Sequence, residues 1–186
     1  MAKDYDAIRV YGDLDSEVFW APKGSTLPTS ITTDPTDPFW AFGWLSEDGV
    51  SLSVSTDVEK FKGWQGGTTL RTKVTSTEKT VTVQALQETP GVTGLYYGHG
   101  DATVTGSGAT ALARIDLPES IPTIEGAAVF KFVDAGVQKW LCCELVQISD
   151  RGEVAHQNSS MTLYEFTLEI IGDSYILTNA PAYLEA

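Results

Sequence analysis

The sequence has little positive charge and no long apolar run, and both shortages limit what the chain can do. Twelve Lys and Arg stand against 25 Asp and Glu, which gives a formal net charge of −13. Binding to nucleic acid phosphates or to an anionic membrane surface depends on clustered cations, so the composition argues against both. No run approaches the roughly 18 apolar residues of a membrane-spanning helix. The first residues also lack an apolar segment of signal-peptide length, which argues against secretion.

Cysteine is nearly absent as well. The only two, Cys142 and Cys143, are adjacent in "KWLCCELVQI". Neighbours in a strand point to opposite faces of a sheet, so this pair is poorly placed to form a disulfide or to share a metal ion. We therefore predict two buried thiols in a chain made in a reducing cytoplasm.

Sequence motifs of catalysis are missing too. His99 and His156 are the only histidines, and neither has acidic or thiol partners at a zinc-binding spacing. "GHGDATVTGSGAT" lacks the Lys-Ser/Thr end of a phosphate-binding loop, and Ser107 does not lie in a nucleophile elbow. The acids show no EF-hand pattern, although any two of them could converge as a glycosidase pair. We predict a protein that is not an enzyme, with no catalytic, cofactor-binding or metal-binding residue.

The sequence does contain several stretches in which apolar and polar residues alternate, the pattern of β-strands. "VSLSVS" places Val50, Leu52 and Val54 on one face, and "TLRTKVTSTEKTVTVQALQE" continues the pattern. Three later strands are predicted in "GAAVFKFVD", "VQKWLCCELVQISD" and "MTLYEFTLEII". The last is the clearest, because Tyr164, Phe166, Leu168 and Ile170 alternate with Glu165, Thr167 and Glu169. A further short strand is predicted in "AIRVYG".

At most one or two short helices are predicted between the strands, at two candidate positions. In "STDVEKFKGWQGG", Val58 and Phe61 fall at helical spacing after capping residues and before Gly66 and Gly67. The second lies near Leu95–Tyr97, where a short helix or an irregular strand fits the pattern. Taken together, the predicted strands and short helices indicate one all-β domain over residues 1–186, a sandwich or barrel of about seven to nine strands.

Residues 23–38 stand apart from this pattern. Pro28, Pro35 and Pro38 rule out regular structure there, and the segment is longer than the usual connection of about 4 to 6 residues. Aromatic residues flank both of its ends. We predict a long extended loop that is either functional or mobile.

The five tryptophans leave three interpretations open. Exposed Trp on a β-sandwich can stack on sugars, which would make the chain a carbohydrate-binding module. They can instead anchor the core and the loops. A third interpretation is that some are covered only when another copy of the protein is present.

Four stretches, taken in order, resemble the major tail (tail tube) proteins of long-tailed, siphovirus-type bacteriophages, especially those of phages of actinobacteria. They are "VFWAPKGSTLPTS", "FGWLSEDGVSLS", "GWQGGTTLRTKVTSTEKTVTVQALQET" and "LYYG". The similarity extends from about Val18 to Ile171. The resemblance implies a β-sandwich or barrel of the phage tail-tube type, with one short flanking helix and the long extended loop.

The same resemblance implies an assembly. Homohexameric rings would stack into a tube around a tape-measure protein, join tail terminator and baseplate proteins, and let DNA pass during ejection into the host, with no membrane partner. Residues 1–17 and 172–186 would be terminal arms, and 23–38 a loop between rings that is floppy until the next ring orders it. The protein would be part of the virion tail, made in the bacterial host cytoplasm. The alternatives are another tube-fold virion component, such as a terminator or baseplate hub relative, and the carbohydrate-binding module.

Net charge bears on this assembly in two ways. An acidic bore would repel DNA phosphates and let the duplex slip past, whereas a basic wall would hold it. Subunits of like charge also repel one another over about 8 Å at physiological ionic strength. We therefore expect apolar or locally complementary contacts between subunits, and polymerisation that increases with salt.

Overall fold

The computed structural model describes residues 5–184, apart from the side chain of Asp6. Strands dominate, joined by two short α-helices and two 3₁₀ turns. The strands are β1 Glu17–Pro22, β2 Trp40–Ala41, β3 Leu45–Lys62, β4 Thr69–Ala85, β5 Thr103–Thr105, β6 Leu112–Arg114, β7 Glu125–Asp134, β8 Val137–Arg151, β9 Tyr164–Ile170 and β10 Ser174–Thr178, and the helices are α1 Pro90–Tyr97 and α2 Pro181–Leu184.

One antiparallel sheet contains eight of these strands. Its order is β2-β1-β7-β8-β9-β4-β3, and β10 pairs with β8. The long strand β8 pairs with β10 through residues 139–143 and with β9 through residues 146–151, so β9 and β10 follow each other along it. Strands β5 and β6 form a separate two-stranded ribbon. The predicted all-β fold, with a short helix and a long loop, is confirmed.

The main core lies on one face of the large sheet, beneath α1. Every second residue of β9 points into it, because the strand alternates apolar and polar side chains. Tyr96 of α1 packs edge-on against Tyr164 and Phe166 of β9. The largest fully buried side chains in this core include Phe42, Phe130, Tyr164, Phe166 and Leu168.

Helix α1 has a clear beginning and end in the sequence. The hydroxyl of Thr89 accepts a hydrogen bond from the Val92 N–H, and Pro90 occupies the first turn, where its missing N–H is not needed. Gly98 ends the helix in the left-handed region with φ 69°. Arg151 Nε donates to the Leu95 carbonyl at 3.1 Å, which satisfies one of the carbonyls near the helix end.

A second core covers the opposite face of β1, β7 and β8. Phe19, Trp140 and Cys142 are buried there, and Leu27 and Ile31 of the loop pack over them. The loop is also tied down at its middle, where the Tyr175 hydroxyl donates to the Pro28 carbonyl at 2.6 Å. Residues 23–38 thus form no helix or strand, as predicted, and lie against the sheet of their own chain.

These two cores confirm the prediction for the cysteines. Cys143 lies in the main core and Cys142 in the second core, and both are buried as free thiols. Burial raises the pKa of Cys142 to about 11 and that of Cys143 to about 12. The side chains are on opposite faces because they are neighbours in one strand.

Two predicted elements are wrong. Residues 7–12 form no strand; the Val10 N–H instead donates to the Asp134 carboxylate, and the Gly12 N–H donates to the Val133 carbonyl near the end of β7. The helix predicted around Val58 and Phe61 is part of strand β3, because its backbone pairs residue by residue with β4. Near Leu95–Tyr97, where the sequence left a short helix or an irregular strand open, the structure has helix α1, and the three later strands are confirmed.

The N-terminal arm is hydrogen-bonded to the turn after β7, whereas the C-terminal arm contributes a strand to the large sheet. Residues 1–4 and 185–186 lie outside the described residues. Within the N-terminal arm, Asp13 Oδ2 accepts a hydrogen bond from the Ala135 N–H at 2.7 Å. Within the C-terminal arm, β10 is part of the large sheet. Contacts of these arms and of the 23–38 loop with other rings stay predictions.

An ion pair between a buried lysine and a loop aspartate holds the loop against the sheet. Lys131 of β7 is 8% exposed, and its Nζ lies 2.6 Å from Asp34 Oδ1 of the loop and 5.7 Å from the ring centroid of Trp140. The Asp34 side chain is 55% exposed. Because the cation is buried and the anion is half in water, the two partners are not equivalent.

Removing the anion should therefore lower the free energy of unfolding more than removing the cation. Asp34→Ala leaves a buried ammonium without its partner, which should lower the free energy of unfolding by about 1–3 kcal/mol. Lys131→Met leaves a carboxylate that water can solvate and should cost at most about 1 kcal/mol. Urea unfolding of both variants measures the difference, and a larger loss for Lys131→Met would contradict this account of the loop.

Candidate assembly surfaces

Strands β3 and β4 continue beyond the rest of the sheet. Strand β4 pairs with β9 only through residues 80–85, so residues 54–79 form a two-stranded ribbon, which we call the projecting hairpin. At roughly 3.4 Å per residue it extends about 30 Å from the body. Nearly every side chain in it is exposed.

The local sequence explains why this segment is a hairpin. Side chains alternate on both strands, with Val58 opposite Val74 and Glu59 opposite Lys73. The turn closes through the Gly63 N–H and the Thr68 carbonyl at 2.8 Å, and Gly66 and Gly67 adopt φ values of 70° and 65°. The two glycines that predicted a helix end therefore make a hairpin turn, for which positive φ is needed.

The core face of the sheet continues along the ribbon as a row of exposed apolar side chains, and Lys79, opposite Val54, lies on the same face. Leu52, Val54, Val58 and Val74 share this face by register, and we call them the apolar stripe. Their exposed fractions are 52%, 58%, 45% and 57%. Leu52 lies opposite Val81, which is fully buried, so the stripe is a direct continuation of the main core face.

A one-residue bulge keeps the stripe on one face. Asp57 pairs with Ser76 and Val58 with Val74, so Thr75 is the extra residue on β4. Its hydroxyl donates to the Asp57 carbonyl at 3.2 Å. Without this shift, Val74 would point to the opposite face from Val81.

The stripe has no covering layer in the described part of the chain. A two-stranded hairpin alone is marginally stable in water, and uncovered apolar surface on a well-packed body is typical of contact sites. At the turn, Trp64 is 94% exposed. The projecting hairpin is therefore the strongest candidate for a contact surface.

A second uncovered region follows α1. Residues 101–123, which we call the outer segment, are exposed throughout and contain the separate β5–β6 ribbon. Large apolar side chains on it reach solvent: Val104, Leu112, Ile115, Leu117 and Ile121. Like the projecting hairpin, it leaves apolar surface without a second layer.

The tryptophans divide between core and surface. Trp20 and Trp140 are buried, and Trp40 is half-buried and stacks on Phe42. The exposed pair, Trp44 and Trp64, lies at the two ends of β3, separated by its 18 residues. A sugar-binding platform needs aromatic rings side by side, and this pair does not provide one.

An open cleft lies between the N-terminal stretch and the start of β3. Its volume is about 690 Å³, and Asp13, Glu17, Glu47 and Asp48 contribute to its lining. Burial raises the pKa of Glu17, although a hydrogen bond from the Gly43 N–H at 3.0 Å opposes the shift. That bond fixes the turn before β3, so Glu17 has a structural role.

Both histidines lie close to backbone or hydroxyl oxygens of neighbouring loops and of helix α1. His99 Nδ1 donates to the Gly100 carbonyl at 2.7 Å, and its Nε2 lies 2.9 Å from the Thr93 hydroxyl of α1. His156 is exposed, with Nδ1 3.4 Å from the Thr162 hydroxyl. Between residues 5 and 184, no three His, Cys, Asp or Glu side chains converge as metal ligands would. In the same range, no helix has the length and apolar character to cross a bilayer.

The comparison with protein families gives one match. A sequence model of the family described as phage tail tube protein matches residues 1–175. A comparison with curated proteins finds no match. The matched range includes the projecting hairpin, the outer segment and the whole sheet except the end of β10.

Both thiols should be unreactive in the folded protein. With pKa values of about 11 and 12, only about a thousandth or less of either cysteine is thiolate at pH 8. We expect iodoacetamide to label neither in the native chain within an hour at pH 8, and both after unfolding in guanidinium. Rapid native labelling of one thiol would show that one core opens easily.

The same substitution should have different effects at exposed and buried valines. Val58→Thr with Val74→Thr should change the free energy of unfolding of the isolated subunit by less than about 0.5 kcal/mol, because both residues are exposed. Val81→Thr is the matched control and should cost about 1–3 kcal/mol, since it buries a hydroxyl. Urea unfolding of dilute protein measures both. Equal costs would mean that the projecting hairpin is covered within its own subunit.

Proposed function

The chain belongs to the phage tail tube protein family, and on this basis we propose that it polymerises as stacked hexameric rings into the tail tube of a long-tailed phage. Family membership makes it a structural protein of the phage tail. The finer proposal adds the number of subunits per ring, the siphovirus-type tail and the passage of DNA during ejection.

The observation that carries the proposal is the projecting hairpin. Its apolar stripe continues the core face of the sheet into solvent, although the body of the subunit is well packed. A structural subunit that assembles has a reason to keep such a surface open, because another copy covers it.

An open sheet edge supports the same proposal. Strand β3 is 18 residues long, and within the described residues it pairs with β4 only. A long unpaired edge invites pairing with another chain, and a closed ring uses that edge without leaving it free to aggregate. Strands from six subunits would then form a continuous inner barrel.

Charge supports the proposed role as a conduit. The formal net charge of −13 favours a bore that repels DNA phosphates, so that the duplex slides through without binding. The tube would enclose a tape-measure protein and join terminator and baseplate proteins. Residues 1–17, 23–38 and 172–186 would contact neighbouring rings, and the subunits would be made in the host cytoplasm.

Negative-stain microscopy of the concentrated protein tests the proposal. We expect rings with six-fold symmetry and hollow rods, and the Val58→Thr/Val74→Thr variant should form fewer of them while staying folded. A protein that remains monomeric at every concentration and salt would overturn the proposal. Tryptophan fluorescence that responds to oligosaccharides under those conditions would favour the carbohydrate-binding module instead.

Salt dependence gives a second measurement. Subunits of charge −13 repel one another, and added salt screens this repulsion. Polymerisation followed by light scattering should therefore increase between about 0.02 and 0.5 M NaCl. Tubes that form best at the lowest salt would contradict the view that net repulsion limits assembly.

A further inference from the structure

Positive charge is concentrated on the projecting hairpin. This segment carries five of the twelve Lys and Arg but only three of the 25 Asp and Glu. Its net charge is therefore +2, against −15 for the rest of the chain. All five cations are exposed: Lys60, Lys62, Arg71, Lys73 and Lys79.

The outer segment has the opposite character. It carries Asp101, Asp116 and Glu119 against a single cation, Arg114, whose Nη2 lies 2.7 Å from Asp116 Oδ1. Its net charge is −2, and it also exposes five large apolar side chains. The projecting hairpin and the outer segment thus each combine apolar surface with charge, and their charges are opposite.

Another acidic surface fits the hairpin less well. Glu165 and Glu169 lie on the face of β9 opposite the core, among threonine and glutamine side chains. Gln84 Nε2 already donates to Glu165 Oε2 at 2.6 Å. This face offers charge without apolar surface, so it would leave the apolar stripe uncovered.

We propose that the projecting hairpin of one copy docks on the outer segment of a second copy. The inference rests on the proposed function, because it names which surfaces of the tube subunits meet. Apolar burial supplies the attraction, and the opposite charges align the two ribbons. Neither surface meets its own counterpart, so the contact is heterologous and builds rings or stacks instead of closed pairs.

Charge exchange between the two surfaces tests the docking. Lys60→Glu/Lys79→Glu reverses charge on the stripe face of the projecting hairpin, and Asp101→Lys/Glu119→Lys reverses it on the outer segment. All four residues are exposed, so the subunit should fold in each variant, which circular dichroism and thermal unfolding check. Assembly is measured as the critical concentration for rods, by sedimentation and microscopy at fixed salt.

Each double variant should raise the critical concentration at least tenfold, and the four-fold combination should return it to within about threefold of the original. If net repulsion alone controlled assembly, the outer-segment variant, with a net charge near −9, would have a lower critical concentration than the original chain. That result, or a combination that does not recover, would overturn the docking. If the unsubstituted chain forms no rods, the proposed function fails together with this inference.

Two controls complete the design. Lys139→Gln changes the net charge by the same amount as Lys60→Gln, but at a half-buried position outside both surfaces and outside the segments proposed to contact neighbouring rings. Only Lys60→Gln should raise the critical concentration. Hydrogen exchange of assembled protein should show new protection in both 54–79 and 101–123, and protection of one region without the other would contradict the docking.

Discussion

A sheet face must be covered, and in this subunit the apolar face of β3 and β4 is covered over only part of its length. Near Val81 and Val83 the face is closed by α1 and the neighbouring strands. From Val54 onward the same face continues without a second layer. The register that places Val83 in the core also aligns Val58 and Val74 on that face, so core packing and the proposed contact surface derive from one alternating pattern.

The body of the subunit is suited to hold such a hairpin in place. Strands β1, β7 and β8 are covered on both faces, by the main core on one side and by the 23–38 loop on the other. The buried Lys131 and its partner Asp34 hold that loop. A strand packed on both faces resists local opening, so exposed segments can extend from it without loosening the fold.

The sequence predicts the core strands better than the surface ribbons, for a physical reason. Strand β9 alternates fully, and its buried side defines its face. In "DVEKFK" the apolar residues Val58 and Phe61 are three apart, a spacing that also fits a helix. The pairing of Val58 with Val74 and of Glu59 with Lys73 decides in favour of a strand. Residues 58–62 alone do not show that they will pair with a strand about 15 residues further along the chain. The outer segment escaped prediction because its glycine-rich ribbon has little alternation.

The placement of charge helps to explain how an exposed apolar surface stays specific. Subunits with net charge −13 repel one another in most orientations, which limits random contact between uncovered apolar residues. At physiological salt, charges on two subunits affect each other only within about 8 Å. At that distance the subunits would attract each other only in an orientation that brings the positive hairpin to a negative surface. Since Lys60 and Lys79 share the face of the apolar stripe, apolar burial in the proposed contact would follow only when the charges match. Net repulsion and local complementarity together would thus select one contact among many.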